Sequence, residues 1–239
     1  MNRNELTEKI RAFEKRLQSH MKEIYCPTHL SLGHESVAVD IAEVVREDDW
    51  LFSTHRNHHH YLAKGGDEHK LWDEIMGKPS GLNKGFAGSQ GITDRSIKFH
   101  ASAILGGLIG AAAGVAYAEK LNQSNNISIC CIGDAATEQG VFWETLNFAV
   151  LYSLPLCFIV ENNGKSVDAL LSERQAVPIR PRVQSFGLKI FDSVHDAIGN
   201  CRADKLPAFV EKKVTIECAH LNMATMLDLC DQKEPELRS

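Results

Sequence analysis

Residues 127–167 read ISICCIGDAATEQGVFWETLNFAVLYSLPLCFIVENNGKSV. Two continuous apolar runs, 127–132 and 156–160, each end abruptly in oxygen-bearing side chains, Asp134 after the first and Asn162 and Asn163 after the second. A continuous apolar run bounded by turn residues reads as a strand buried on both faces. With a helix between them, the two runs make a right-handed βαβ unit of a parallel sheet. Asp134 and Asn163 then fall at the carboxyl ends of neighbouring strands, where open α/β sheets bind their ligands.

Upstream, Leu6, Ile10, Phe13, Leu17, Met21 and Ile24 recur at helical spacing, which predicts a first helix with one apolar face, ended by Cys26-Pro27. A polar turn over 28–35 leads into a helix over 36–45. Residues 50–66, WLFSTHRNHHHYLAKGG, give a short apolar run, a basic and histidine-rich turn, and a helix stopped by Gly65-Gly66; another short helix covers 68–76. Residues 78–99 form a glycine-rich loop, of the kind that serves as a lid or binding loop. The uncharged stretch 101–118, ASAILGGLIGAAAGVAYA, is too poor in bulky side chains for a membrane span and predicts a central helix packed tightly against a sheet or a second subunit. Downstream, 168–185 reads as irregular because Pro178 and Pro181 limit any helix; a strand over 189–191, a helix over 193–202, a last strand over 206–217 and a flexible polar tail over 221–239 follow. The expected fold class is α/β, one domain over 1–239 with a parallel sheet flanked by helices.

A formal net charge of −5 gives no electrostatic reason for a nucleic-acid or anionic-membrane partner, so any phosphate site is local. The seven cysteines are odd in number, contain no CxxC pair and fall partly inside apparent core strands, the pattern of reduced thiols in a cytoplasmic protein. The start, MNRNELTEKIRAFEKRL, is a charged amphipathic helix without an apolar signal core.

Asp134, Asn163 and a nearby backbone carbonyl make an all-oxygen set of the kind that holds octahedral Mg²⁺ while phosphates and water fill its other positions. The small residues Ala135 and Ala136 let backbone N–H groups approach a phosphate. The pieces suggest a magnesium-bridged diphosphate; the plainer alternative makes Asp134 a helix cap and the asparagines a turn. His55 and His59 stand at zinc-ligand spacing, but no third ligand or HExxH pattern accompanies them in sequence.

The stretch GDAATEQGVFWETLNFAVLYSLPLCFIVENN resembles the thiamine diphosphate motif, and within that superfamily it is similar to the alpha subunit of the E1 component of 2-oxo acid dehydrogenases. Other blocks follow in the family's order. THLSLGHESVAV resembles its first active-site turn, STHRNHHHYLAKG its Tyr-Arg-x-His-Gly segment, ASAILGGLIGAAAGVAYA its Gly/Ala-rich helix, and PAFVEKKVTIECAH the strand leading to its late histidine loop.

The resemblance implies the thiamine diphosphate-binding fold and roles for particular positions. Asp134 and Asn163 would bind Mg²⁺ through side chains and Lys165, where the family has Tyr, through its carbonyl oxygen. Arg56 would grip the diphosphate, with His55 standing at the family's Tyr position and Ala135 and Ala136 presenting amides. Ala103 and Leu105 would meet the aminopyrimidine, and Val167 would support the bent cofactor. His29, His58 and His220 would line the reacting end and manage protons. Around His220 the chain has Cys218, Leu221 and Asn222 in place of family residues, which weakens the expectation of docking to a lipoyl-bearing acyltransferase.

Nothing in the sequence resembles the family's pyrimidine-binding half, so the resemblance implies a beta-type partner and an α2β2 assembly. The expected reaction is decarboxylation of a 2-oxo acid with acyl transfer to lipoyl or another acceptor. A transketolase-like half enzyme or carboligase acting on an aldehyde or ketose, and a non-catalytic scaffold, are the alternatives.

Overall fold

The computed structural model describes residues 1–167 and 169–217. His220 and the tail expected over 221–239 lie outside the described residues.

The two apolar runs form strands β4 (Ser128–Gly133) and β5 (Leu156–Asn162), joined by a short 3₁₀ turn (Asp134–Glu138) and helix α6 (Gly140–Leu151). They pair in parallel, Ser128 opposite Leu156 and Gly133 opposite Glu161, as the βαβ reading requires. To one side of β4 lie β1 (Trp50–Ser53), β3 (Phe99–Ala101) and the antiparallel edge strand β2 (Thr93–Asp94); to the other side of β5 lie β9 (Ala208–Lys213) and β8 (Lys189–Phe191). The order β2-β3-β1-β4-β5-β9-β8 is parallel throughout except for β2. The chain runs outward from β1 to β3 and then returns to β4 on the other side, so the strand order reverses between β1 and β4. Connections diverge there and leave a crevice above the carboxyl ends. A small hairpin, β6 (Lys165–Ser166) with β7 (Ala169–Leu170), stands just past β5.

The core strands are covered on both faces, which is why their sequences run apolar without alternation. Alternate residues nevertheless feed two separate cores. Ile129, Cys131, Cys157, Ile159 and Val210 pack with α1 (Arg3–Ser19), α2 (Glu35–Ala42), α3 (His58–Ala63), α4 (Glu68–Ile75) and α9 (Val194–Asp204). Cys130, Ile132, Phe158, Val160 and Phe209 pack with α5 (Ile109–Leu121), α6 and α8 (Ile179–Gln184).

Several boundaries differ from expectation for local reasons. Helix α1 ends at Ser19 although Met21 and Ile24 continue its period; both pack against the core from the connection that follows rather than from helix. The stretch 101–118 is helical only from Ile109, because β3 takes its start and Gly106 turns the chain with φ +79°. Residues 168–185 hold the short helices α7 (Leu171–Arg174) and α8, with Pro181 in the first turn of α8, where its missing N–H costs nothing. No helix among the described residues is long and apolar enough to cross a membrane.

At the opposite end of the sheet, Asp49 ties elements together. Arg202 of α9 meets it with two nitrogens, at 2.6 and 3.0 Å, and the backbone N–H groups of Arg46 and Ile127 also donate to it. This fixes α9 and the start of β4 relative to β1.

Candidate functional site

A cavity of about 530 Å³ opens above the carboxyl ends of β1, β3, β4 and β5. A larger, more open groove of about 800 Å³ runs along the β8 edge, but it gathers no strand ends from the centre of the sheet, so the smaller cavity is the candidate site. Its lining collects the predicted residues from five separate stretches: His29 before α2, His55 and Arg56 after β1, Ala103 and Leu105 after β3, Asp134, Ala135 and Ala136 after β4, and Asn163, Lys165 and Val167 after β5.

Asp134 starts the 3₁₀ turn and is 2% exposed. Burial pushes its carboxyl up from the ordinary value, and the Arg174 guanidinium, 2.6 Å from Oδ2, partly offsets this. Arg174 also pairs with Glu138. The carboxylate therefore sits where desolvation favours a cation beside it. Across the crevice, Asn163 Oδ1 accepts the backbone N–H of Lys165 at 2.8 Å, and Asn162 Oδ1 accepts that of Gly164 at 2.8 Å. These paired turns aim the hairpin's backbone over the cavity. Val167, in that hairpin, is 57% exposed and has φ +53°, a left-handed conformation that a β-branched residue adopts only under constraint.

Arg56 is buried at 7% exposure, and its guanidinium donates to the carbonyl of Leu30. His29 and His55 meet edge to face, ring centres 4.4 Å apart, and the amide of Gln90 donates to His29 Nδ1 at 3.1 Å. Gln90 comes from the glycine-rich loop. That loop is fastened from below by Glu74 of α4, which is fully buried and accepts N–H groups from Asn83, Gly85, Ala87 and Gly88 at 2.6 to 3.2 Å. Gly85, with φ +79°, lets the loop wrap close enough to reach it, since a Cβ there would fall 2.4 Å from the carbonyl carbon of Gly77.

His58 is placed differently from the expectation. It is fully buried and is not among the lining residues; its Nδ1 meets Glu14 Oε1 at 3.0 Å and its Nε2 meets Ser89 Oγ at 2.8 Å. Both nitrogens serve to join α1, α3 and the loop.

The lining also includes Thr54, Gln90, Ser166, Ile216, His34 and Glu161, which sequence reasoning passed over. Glu161, a charge at the end of an otherwise apolar strand, carried a signal; His34 in its polar turn carried none. In the fold, His34 Nδ1 lies 2.9 Å from Glu161 Oε2, and His59 Nε2 and His60 Nε2 lie 3.1 and 3.2 Å from Oε1. Burial drives the His59 imidazole down to about 3, so it is neutral at physiological pH. Burial works to raise Glu161, while the imidazoles around it, with the His34 Nδ1 contact at 2.9 Å, work the other way and favour its ionised form.

Comparison with known proteins places these features in a family. A family model described as "Dehydrogenase E1 component" matches residues 5–176. The alpha subunit of acetoin:2,6-dichlorophenolindophenol oxidoreductase from Bacillus subtilis is 35% identical over 84% of this chain and 65% of its own length. The pyruvate dehydrogenase E1 component subunit alpha of Rickettsia bellii is 30% identical over 77% of this chain and 61% of its own length. The chain thus spans a little under two thirds of these relatives. A crystal structure of transketolase from Campylobacter jejuni superposes with a TM-score of 0.70 at 17% identity, covering 90% of this chain and 38% of that one, a likeness of fold.

Proposed function

This chain belongs to the dehydrogenase E1 component family, and on that premise we propose that it is the alpha-type subunit of a thiamine diphosphate- and Mg²⁺-dependent enzyme that decarboxylates a 2-oxo acid. The observation that carries the proposal is the convergence of Asp134, Ala135, Ala136, Asn163, Lys165 and Arg56, from distant parts of the chain, on one crevice at the switch point of a parallel sheet.

The residues fit the group. Asp134 is a buried carboxylate that already takes one cation beside it, the Arg174 guanidinium, and Asn163 and Lys165 across the crevice offer an amide oxygen and a backbone carbonyl. Asp134, the side chain of Asn163 and the carbonyl of Lys165 would hold Mg²⁺. Backbone N–H groups of Ala135 and Ala136 and the guanidinium of Arg56 would bind the diphosphate. Val167, Ala103 and Leu105 supply apolar surface that excludes water from the cofactor's ring end. Thiamine diphosphate, when bound, supplies the nucleophilic carbon and the electron sink for decarboxylation. His29 lines the cavity with Gln90 3.1 Å from its Nδ1, and its imidazole would manage protons at the substrate's oxygens.

The cofactor's activating acid would come from a beta-type partner, completing an α2β2 assembly. These residues would make up the diphosphate half of such a site within one domain, and the five described cysteines, which form no disulfide, favour a cytoplasmic setting. Acyl transfer to a lipoyl-bearing acyltransferase follows if His220 and its loop serve that step.

The test is CO₂ release from a panel of 2-oxo acids by the chain purified with its co-expressed partner, with acetoin cleavage as a second arm because one relative is named for acetoin. Decarboxylation that depends on thiamine diphosphate supports the proposal. Turnover of neither class by a cofactor-loaded complex overturns it.

A further inference from the structure

The histidine run 58–60 is not absorbed by the cofactor reading, apart from the expectation attached to His58. Its middle member, His59, points instead at Glu161, and His34 approaches the same carboxylate from the loop before α2. The ligand atoms of His34, His59 and Glu161 all lie within 4.8 Å of one another, and all three residues are buried. We propose that His34, His59 and Glu161 form a second metal site in the floor of the cavity, with two imidazoles and one carboxylate, selective for a first-row divalent cation such as Zn²⁺.

Geometry supports this first. A cation bound at about 2.0–2.2 Å by nitrogen and carboxylate ligands in a tetrahedral arrangement needs those ligands roughly 3.3 Å apart. His34 Nδ1 lies 2.9 Å from one oxygen of Glu161 and His59 Nε2 3.1 Å from the other, and one ligand atom from each residue lies within 4.8 Å of the other two, so the three converge on a point that side-chain rotation can tighten around an ion. His60 Nε2 stands 3.2 Å from Oε1 without a hydrogen bond to it, and its Nδ1 is held by Ser53 Oγ at 2.9 Å, so His60 is a neighbour of the site and not one of its ligands.

Charge and hydrogen bonding supply a second, separate observation. Among the described residues no lysine or arginine pairs with Glu161, which leaves a buried anion among imidazoles. The outer nitrogens, His34 Nε2 and His59 Nδ1, have no hydrogen-bond partner, so each can carry its ring's proton while the inner nitrogens, His34 Nδ1 and His59 Nε2, give a lone pair each to a divalent cation that neutralises the carboxylate.

Selectivity follows from the donor set. Nitrogen ligands suit Zn²⁺ and its first-row neighbours, whereas the all-oxygen set at Asp134 and Asn163 suits Mg²⁺. Glu161 and His34 both line the cavity, so the remaining coordination position opens onto it. The inference does not depend on the thiamine diphosphate reading.

The experiment uses the full chain with its partner, stripped of metal by chelator and held in saturating Mg²⁺ to fill any oxygen site. Zn²⁺ is added and counted per chain after dialysis, and its affinity is measured against a competing chelator. One tightly held Zn²⁺ is expected, with affinity falling about 100-fold or more in His34→Gln and in His59→Gln, and unchanged in Asp134→Ala. No stoichiometric Zn²⁺, or binding that Asp134→Ala removes while His59→Gln leaves it intact, overturns the site. If either histidine variant fails to fold, X-ray absorption of the Zn²⁺-treated wild type decides. Two imidazoles in the coordination shell uphold the proposal, and fewer refute it.

Discussion

Val167 concentrates the tension between stability and function in one residue. Its left-handed φ is strained for a β-branched side chain, and that side chain is largely exposed in the cavity lining. Val167→Gly relieves roughly 1–2 kcal/mol of backbone strain and adds a comparable entropic cost in the unfolded chain, so the melting temperature should scarcely move. Thiamine diphosphate affinity should fall several-fold, as read by titration calorimetry, because the apolar support is lost. A variant with lower stability and unchanged cofactor affinity would show that Val167 is there for the fold.

At the scale of elements, the glycine-rich loop depends on Glu74. Its carboxyl oxygens hold four backbone N–H groups, and the loop they shape carries Ser89 to His58 and Gln90 to His29. Glu74→Gln replaces one accepting oxygen with a donor against other donors, at a cost of about 2–3 kcal/mol. Amide exchange over residues 83–90 should rise sharply while that of β4 and β5 stays slow; uniform exchange across both would contradict the assignment. The Asp49–Arg202 pair gives the complementary case, remote from the cavity. Asp49→Ala removes the acceptor of the half-buried Arg202 guanidinium and of the Arg46 and Ile127 N–H groups and should lower stability by about 2–3 kcal/mol in denaturant unfolding, without changing cofactor affinity in the protein that remains folded.

These elements differ in how legible they were. Strands β4 and β5 could be read because burial on both faces writes a continuous apolar run, and Asp134 and Asn163 could be placed because such runs end where the sheet opens. Glu74 and Asp49 could not, since an acidic residue in a helix or a turn looks the same whether it is solvated or buried under donors. The cluster of His34, His59 and Glu161 was equally hidden. It exists only because β5, α3 and the loop before α2 meet at the carboxyl ends of the central strands, a long-range convergence that no local spacing records. His58 shows the converse, a family-matching histidine that the fold engages through Glu14 and Ser89.

For the whole molecule, the two cores on either side of the sheet bury their thiols. Burial drives Cys130 and Cys201 up to about 12, and raises Cys131 and Cys157 well above the ordinary value. Of the five described cysteines, the native chain should alkylate first at Cys26, the one that is not fully buried, as site-resolved mass spectrometry will record. Rapid labelling of Cys131 or Cys157 would contradict the packing. The central claim, however, concerns the crevice above β4 and β5. Its most direct test is calorimetric titration of the chain and its partner with thiamine diphosphate, at saturating Mg²⁺ and again in chelator, for wild type and for Asp134→Ala of verified fold. The account predicts saturable binding that chelator abolishes and that Asp134→Ala weakens at least about tenfold; binding indifferent to both chelator and Asp134→Ala would contradict it.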